Sequence, residues 1–254
     1  MKAGRLAFVL SLLLAASPAA ALPVSDERPL QPDGELRLRM ERGSLLVRVG
    51  DAPLARIDAD LQPGQRLLWA GDDASAALRV ADPDRLQPRP ATVAMTVPAG
   101  VRLVLDLGDA SLDLLAAGGG GLKVRSDNGA VRLDTTASDI RVDTLAGPVD
   151  AGLSGPGRLR VSTLSGSITV RLAAPAEVDA ALESLSGVIR LRAPAGAAYR
   201  VELAQGSGSA AWPAAAALAP DGSLRLGEGG GRVRIASFSG AVEVLADLPA
   251  PQQP

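Results

Sequence analysis

One short pattern is written four times between Leu122 and Leu191: LKVRSDNGAVRL (122–133), IRVDTLAGPVDA (140–151), LRVSTLSGSITV (159–170) and VDAALESLSGVIRL (178–191). Each copy has a central glycine, at Gly129, Gly147, Gly166 and Gly187. Apolar residues stand seven and five positions before that glycine and two and four after it, with charged or hydroxyl residues between them. Such period-two alternation is the mark of a strand with one buried face, and a glycine between two such runs marks a turn. A two-strand unit recurring about every 20 residues predicts stacked repeats.

The pattern extends beyond the central copies. Further units centre on Gly43, Gly108, Gly208 and, after a longer step, Gly240. In the series from Gly108 to Gly240 every residue at the four template offsets is apolar, from Val101, Leu103, Ala110 and Leu112 to Val233, Ile235, Val242 and Val244. With 47% of the chain hydrophobic, chance does not produce that run. If each unit adds one rung that pairs in parallel with its neighbours, equal offsets stack about 4.8 Å apart and build a thin aliphatic core. The expected fold is therefore all-β, a single-stranded parallel β-solenoid (β-helix-like) of about 20-residue two-strand rungs. The alternative is an antiparallel β-sandwich of hairpins, which explains the alternation but not the identical offsets. Three positions before the glycine the inward parity carries Ser126, Thr144, Thr163, Ser184, Gln205 and Ser237. A buried hydroxyl needs a partner, so this ladder should bond the turn backbone or the rung beside it.

The remaining segments set the organisation. Residues 1–21 read as a signal peptide: Lys2 and Arg5, then an apolar run from Leu6 to Ala16, then Ala19-Ala20-Ala21 as a cleavage site. Residues 22–33 read as a linker and 34–246 as the repeat domain, with a loop at 72–90 and an insert at 213–231, in which Pro213 is placed to open a short helix. Residues 247–254 read as a disordered tail. No stretch after the signal is long enough for a membrane anchor. Cysteine is absent, which excludes disulfides and a lipobox cysteine. The expected location is periplasmic or secreted.

The repeated TLSGSITV, SLSGVIRL and SFSGAVEV, together with the upstream VPAGVRLVLDLGDASLDL and the signal peptide, resemble the bacterial "putative adhesin" domain-of-unknown-function family, related to auto-transporter adhesin head domains. The resemblance covers about residues 34–246. It implies a β-solenoid fold and an adhesin-like role, and it supplies no catalytic residues to carry over.

The residue types narrow the chemistry. Histidine and cysteine are both absent, which removes Ser-His-Asp and Cys-His catalysis, thiol chemistry and histidine-type zinc sites. Lys123 is the one lysine after the signal and points outward, so a Ser–Lys dyad is disfavoured. Asp72-Asp73 and Asp82/Asp84 are the nearest carboxylate pairs, but their context favours turn bonding. The Ser126-Asp127-Asn128-Gly129 run lacks the spacing of a calcium loop and reads as an Asn-Gly turn. No cofactor and no metal site is expected. A formal net charge of −2 and 2% aromatic residues give no case for nucleic acid.

One surface feature suggests binding. Six positions before the glycines stand Arg102, Lys123, Arg141 and Arg160, a strip suited to envelope glycans or phosphates. The competing reading is a solvated face neutralised by Asp106, Asp134, Asp139 and Asp143. The functional expectation is an exported, non-catalytic adhesin-like binding or structural module in the cell envelope, whose partner is an envelope glycan or another envelope protein. The alternatives are an accessory protein in envelope-stress sensing and a β-helix polysaccharide-active enzyme, for which the 70–90 loop and the 213–231 insert would have to wall a cleft.

Overall fold

The computed structural model describes residues 21–84, 86–116, 120–173, 177–194, 199–214, 216–220, 222–226 and 230–247. The signal-peptide and tail readings fall outside these residues, apart from Ala21 and Asp247. The described chain is all-β, with 21 strands joined in one mixed sheet.

The central copies form strand pairs: β8 (Leu122–Ser126) and β9 (Val131–Thr135), β10 (Asp139–Thr144) and β11 (Val149–Leu153), β12 (Gly157–Thr163) and β13 (Ile168–Leu172), β14 (Val178–Ser184) and β15 (Ile189–Pro194). The first strands of successive pairs run parallel, and so do the second strands. The register keeps equal template offsets opposite each other: Val124, Val142, Val161 and Leu182 in one ladder, Val131, Val149, Ile168 and Ile189 in the other. All eight side chains are buried. A slip of one residue would turn every one of them to solvent, so the alternation itself fixes the pairing.

The glycines act through proximity. Those at the central corners have no left-handed φ, but a Cβ on Gly147, Gly166 or Gly187 would lie 1.9–2.2 Å from the carbonyl oxygen of the glycine one rung away. The hydroxyl ladder bonds the corner as expected. The amide of Gly166 donates to Thr163 Oγ1 at 2.8 Å and that of Gly187 to Ser184 Oγ at 2.7 Å, while Ser237 Oγ donates to the Gly240 carbonyl at 2.8 Å.

The ends of the stack depart from chain order. At one end β2 (Glu35–Gly50) lies between β7 (Arg102–Ala116) and the pair β5 (Ser75–Ala81) and β6 (Ala91–Pro98), all parallel. At the other, β20 (Gly231–Ser237) and β21 (Val242–Asp247) lie between β14/β15 and the pair β16 (Tyr199–Gln205) and β17 (Ala210–Ala211). The long step before Gly240 is the length needed to carry the chain back past the β16 rung.

Several expectations are corrected. Residues 22–33 were expected as a linker, but β1 (Leu22–Pro29) pairs antiparallel with β3 (Leu54–Leu61), which pairs antiparallel with β6. Its exposed side chains hide the strand from a periodicity reading, because backbone pairing and the surface contacts of Ser25 with Asp58 and Glu27 with Arg56 hold it. The loop begins at Asp82, not residue 72, since β5 is flanked by antiparallel β4 (Arg66–Gly71). The insert holds no helix among its described residues. Instead β18 (Ala217–Leu218) and β19 (Leu224–Leu226) form a small antiparallel pair, and β19 covers the start of β16. The Gly108 unit is shifted by two: Ala110, not Gly108, shares the position of Gly129, and Leu103 pairs with Leu122. A two-residue shift keeps the same face inward, and here it buries Leu105 and Leu114 as well.

Candidate functional site

The first-strand ladder presents a flat outer face on which alternate residues stand. With the observed register, the column of Lys123, Arg141 and Arg160 runs from Arg37 through Val104, and on through Ala181 to Arg234. Thus three of the four cations expected to form a strip do stack on adjacent strands. Arg102 does not: the two-residue shift places it opposite Glu35 and beside Gly121, where its Nε lies 3.7 Å from Glu35 Oε2. The neighbouring column reads Leu68, Arg79, Arg39, Asp106, Arg125, Asp143, Ser162 and Glu183.

Two grooves open on this face. The first, about 460 Å³, lies over Val104 and Ala77, with Arg37, Arg39, Arg79, Lys123 and Arg125 around it and Asp106 as its one carboxylate. The second, about 530 Å³, lies over Ala181, Ala204 and Ala236 and balances Arg141, Arg160 and Arg234 against Asp143, Glu183 and Glu202. Small side chains on the floor create both hollows, because long charged side chains to either side stand higher.

Ion pairing divides the cations. Arg141 Nε donates to Asp143 Oδ2 at 2.9 Å, and Ser162 Oγ donates to Asp143 Oδ1 at 2.8 Å. Burial alone would raise the Asp143 carboxyl, but these two hydrogen bonds outweigh it and hold the carboxyl below its ordinary value. The same bond raises the Arg141 guanidinium. Arg234 lies 3.5 Å from Glu202, and Arg37 and Arg39 pair with Glu35 and Glu41 on their own strand. Among the described residues Arg79, Lys123, Arg125 and Arg160 have no carboxylate within 4 Å. Of the carboxylates expected to neutralise the strip, Asp106 and Asp143 stand in the next column. Asp134 belongs to β9 in the other ladder, away from the strip.

The acidic pairs serve turns. Asp72 Oδ1 accepts from the amides of Ala74 and Ser75, and Asp84 Oδ1 from those of Leu86 and Gln87. Asp82 is half-buried with its side chain shielded from solvent, and it accepts from the Arg89 amide and guanidinium and from Gln65 Nε2, all at 2.8–3.4 Å. Burial pushes its carboxyl up, and these donors, Arg89 foremost, pull it well below the usual carboxylate range. Among the described residues no group of three or more acidic side chains is placed to hold a metal ion, and no helix is long and apolar enough to cross a membrane.

Two features escaped the sequence reading. Arg125 stands two residues beyond Lys123 on β8 and Arg37 six before Gly43, so the repeat pattern contained both; Arg39 and Arg79 join the strip because β2 and β5, distant in the chain, are neighbours in the stack. At the corner, Leu145, Leu164, Leu185 and Phe238 form an exposed ridge, each about half or more exposed. Its signal was present in the repeated residue two before the glycine.

No protein-family model and no curated protein matches the sequence. Among solved structures the chain is similar to a "putative cell adhesion protein" from Clostridium sporogenes ATCC 15579, at 11% identity over 89% of this chain and 100% of that one, with a TM-score of 0.39. It is similar also to a "putative adhesin" from Bacteroides fragilis NCTC 9343, at 10% identity over 88% and 97%, TM-score 0.43. A third is a "putative lipid binding protein" from Parabacteroides distasonis ATCC 8503, at 12% identity over 88% and 96%, TM-score 0.45.

Proposed function

We propose that the chain is an exported, non-catalytic β-solenoid that acts as an adhesin-like binding module of the cell envelope. The observation that carries this reading is the in-step parallel register from β8 to β15, which puts like side chains over one another rung after rung. Each inner strand is hydrogen-bonded on both sides, so such a stack is stiff, and its thin aliphatic interior leaves recognition to the outer faces. The charged, flat face of the first-strand ladder is a surface of the kind that binds an extended partner. Three of the four carboxylates a hydrolase would use, Asp72, Asp82 and Asp84, are occupied by backbone amides, which favours binding over catalysis. The signal pattern of residues 1–21 supports export.

The test is capture. Purified chain on beads is incubated with solubilised envelope fractions and with an array of neutral and acidic glycans. Retention of a defined glycan or envelope protein is the expected result. Failure to retain anything from either source, with the fold intact by circular dichroism, sinks the reading.

A further inference from the structure

We propose that the groove over Val104 is the principal seat of an extended acidic glycan, a saccharide chain carrying carboxylate or sulfate groups, laid along the stacking axis. The proposal rests on the binding-module reading above and names its ligand class.

Three observations carry it. First, charge is concentrated where the protein as a whole has none to spare: a chain of net charge −2 gathers five cations around one carboxylate in this groove. Second, the capacity to bind an anion is open there. Arg79, Lys123 and Arg125 have no carboxylate within 4 Å among the described residues, and guanidinium groups receive carboxylate or sulfate oxygens in paired hydrogen bonds. Third, the floor of Ala77 and Val104 offers an apolar bed for the C–H face of a sugar ring. Beyond the groove the column continues through Arg141 and Arg160 at one strand spacing, about 4.8 Å. These are steps comparable to a single sugar unit.

The same face argues against nucleic acid. Past Lys123 the cations alternate with Asp143, Glu183 and Glu202, which would repel a uniformly charged backbone. A saccharide whose acidic units are separated by neutral, hydroxyl-bearing ones meets that alternation with hydroxyl donors to the carboxylates.

Calorimetric titration of the full chain with an oligouronate whose acidic units alternate with neutral sugars, a neutral dextran oligomer of equal length and a single-stranded DNA of matched charge tests the idea. Oligouronate binding that weakens with salt, with little binding of the other two, is expected. Lys123→Ser with Arg125→Ser should weaken it about ten-fold, the loss of two exposed charge contacts. Arg79→Ser alone should weaken it less, and Arg171→Ser on the opposite ladder should leave it unchanged. Melting curves establish that each variant is folded. Equal binding by the double variant, or equal binding of dextran or DNA, overturns the proposal. Envelope capture separates it from the broader reading. If the double variant is captured as well as the parent, the groove is not the seat and the module reading stands. If oligouronate binds as expected but no envelope material is captured, the groove stands and the module reading falls.

Discussion

The stretch from β8 to β15 and the N-terminal part up to β6 solve one problem in two ways. In the central stretch the corners at Gly147, Gly166 and Gly187 repeat one device: a glycine pressed on the neighbouring glycine's carbonyl and a hydroxyl bonded to the corner amide. In the N-terminal part the rung of β5 and β6 is broken by a loop that begins at Asp82, whose shielded carboxylate gathers it against the Gln62–Gln65 turn. Repetition gives a regular surface. Irregularity gives a concave one, and the strongly cationic groove lies where the regular and irregular parts meet.

Substitutions should separate the two devices, in descending order of effect. Gly166→Val places branched carbon against backbone that has a rung on either side, so nothing can give way. A loss of about 3 kcal/mol or more in urea unfolding is expected, and Gly222→Val, where no atom lies within 4 Å of an added Cβ, should cost less despite its φ of 80°. Asp82→Asn removes the charge that Arg89 and Gln65 converge upon and should cost about 2 kcal/mol. It also changes the acid limb. The Asp82 carboxyl is lowered in the folded chain, so its contribution is full above the unfolded value of 3.8 and is lost as pH falls through the lower folded value. The parent should therefore lose stability as acid is added below about pH 4, and Asp82→Asn should flatten that part of the curve.

Thr163→Val removes one corner hydroxyl and leaves the Gly166 amide without its 2.8 Å acceptor, for about 1 kcal/mol. Smallest of all, Arg190→Ser breaks a surface pair with Glu243 at 2.7 Å that joins β15 to β21; the change in melting should stay within about 0.5 kcal/mol. If Thr163→Val proves as damaging as Gly166→Val, the corner is held by its hydroxyl and the comparison needs redrawing.

The contrast also explains what could be read from the residues alone. Offsets around Gly129, Gly147, Gly166 and Gly187 are identical, so the pairing and the buried columns follow from period two. The same symmetry hides information. Gly108 and Ala110 are both compatible with an inward Leu103, and only packing against β2 and β8 chooses Ala110, which moves Arg102 out of the cation column. Leu22–Pro29 buries almost nothing and carries no pattern, yet eight backbone pairs with β3 make it a strand. The groove over Val104 was out of reach because its walls come from β4, β5, β2, β7 and β8, and their adjacency depends on β2 lying between segments that follow it in the chain.

That rearranged order has a consequence for how the molecule is made. Until residues 231–247 take their place, the free edge of β14 can meet β16, whose Val201 would stand beside Ala180 and Leu203 beside Leu182, aliphatic against aliphatic. A nascent chain can close there and reach a shorter, tidy, mistaken arrangement. In the finished arrangement β20 and β21 stand between those two partners. Where the early contact has formed, assembly must end in an exchange, at a rate set by how readily that embrace lets go.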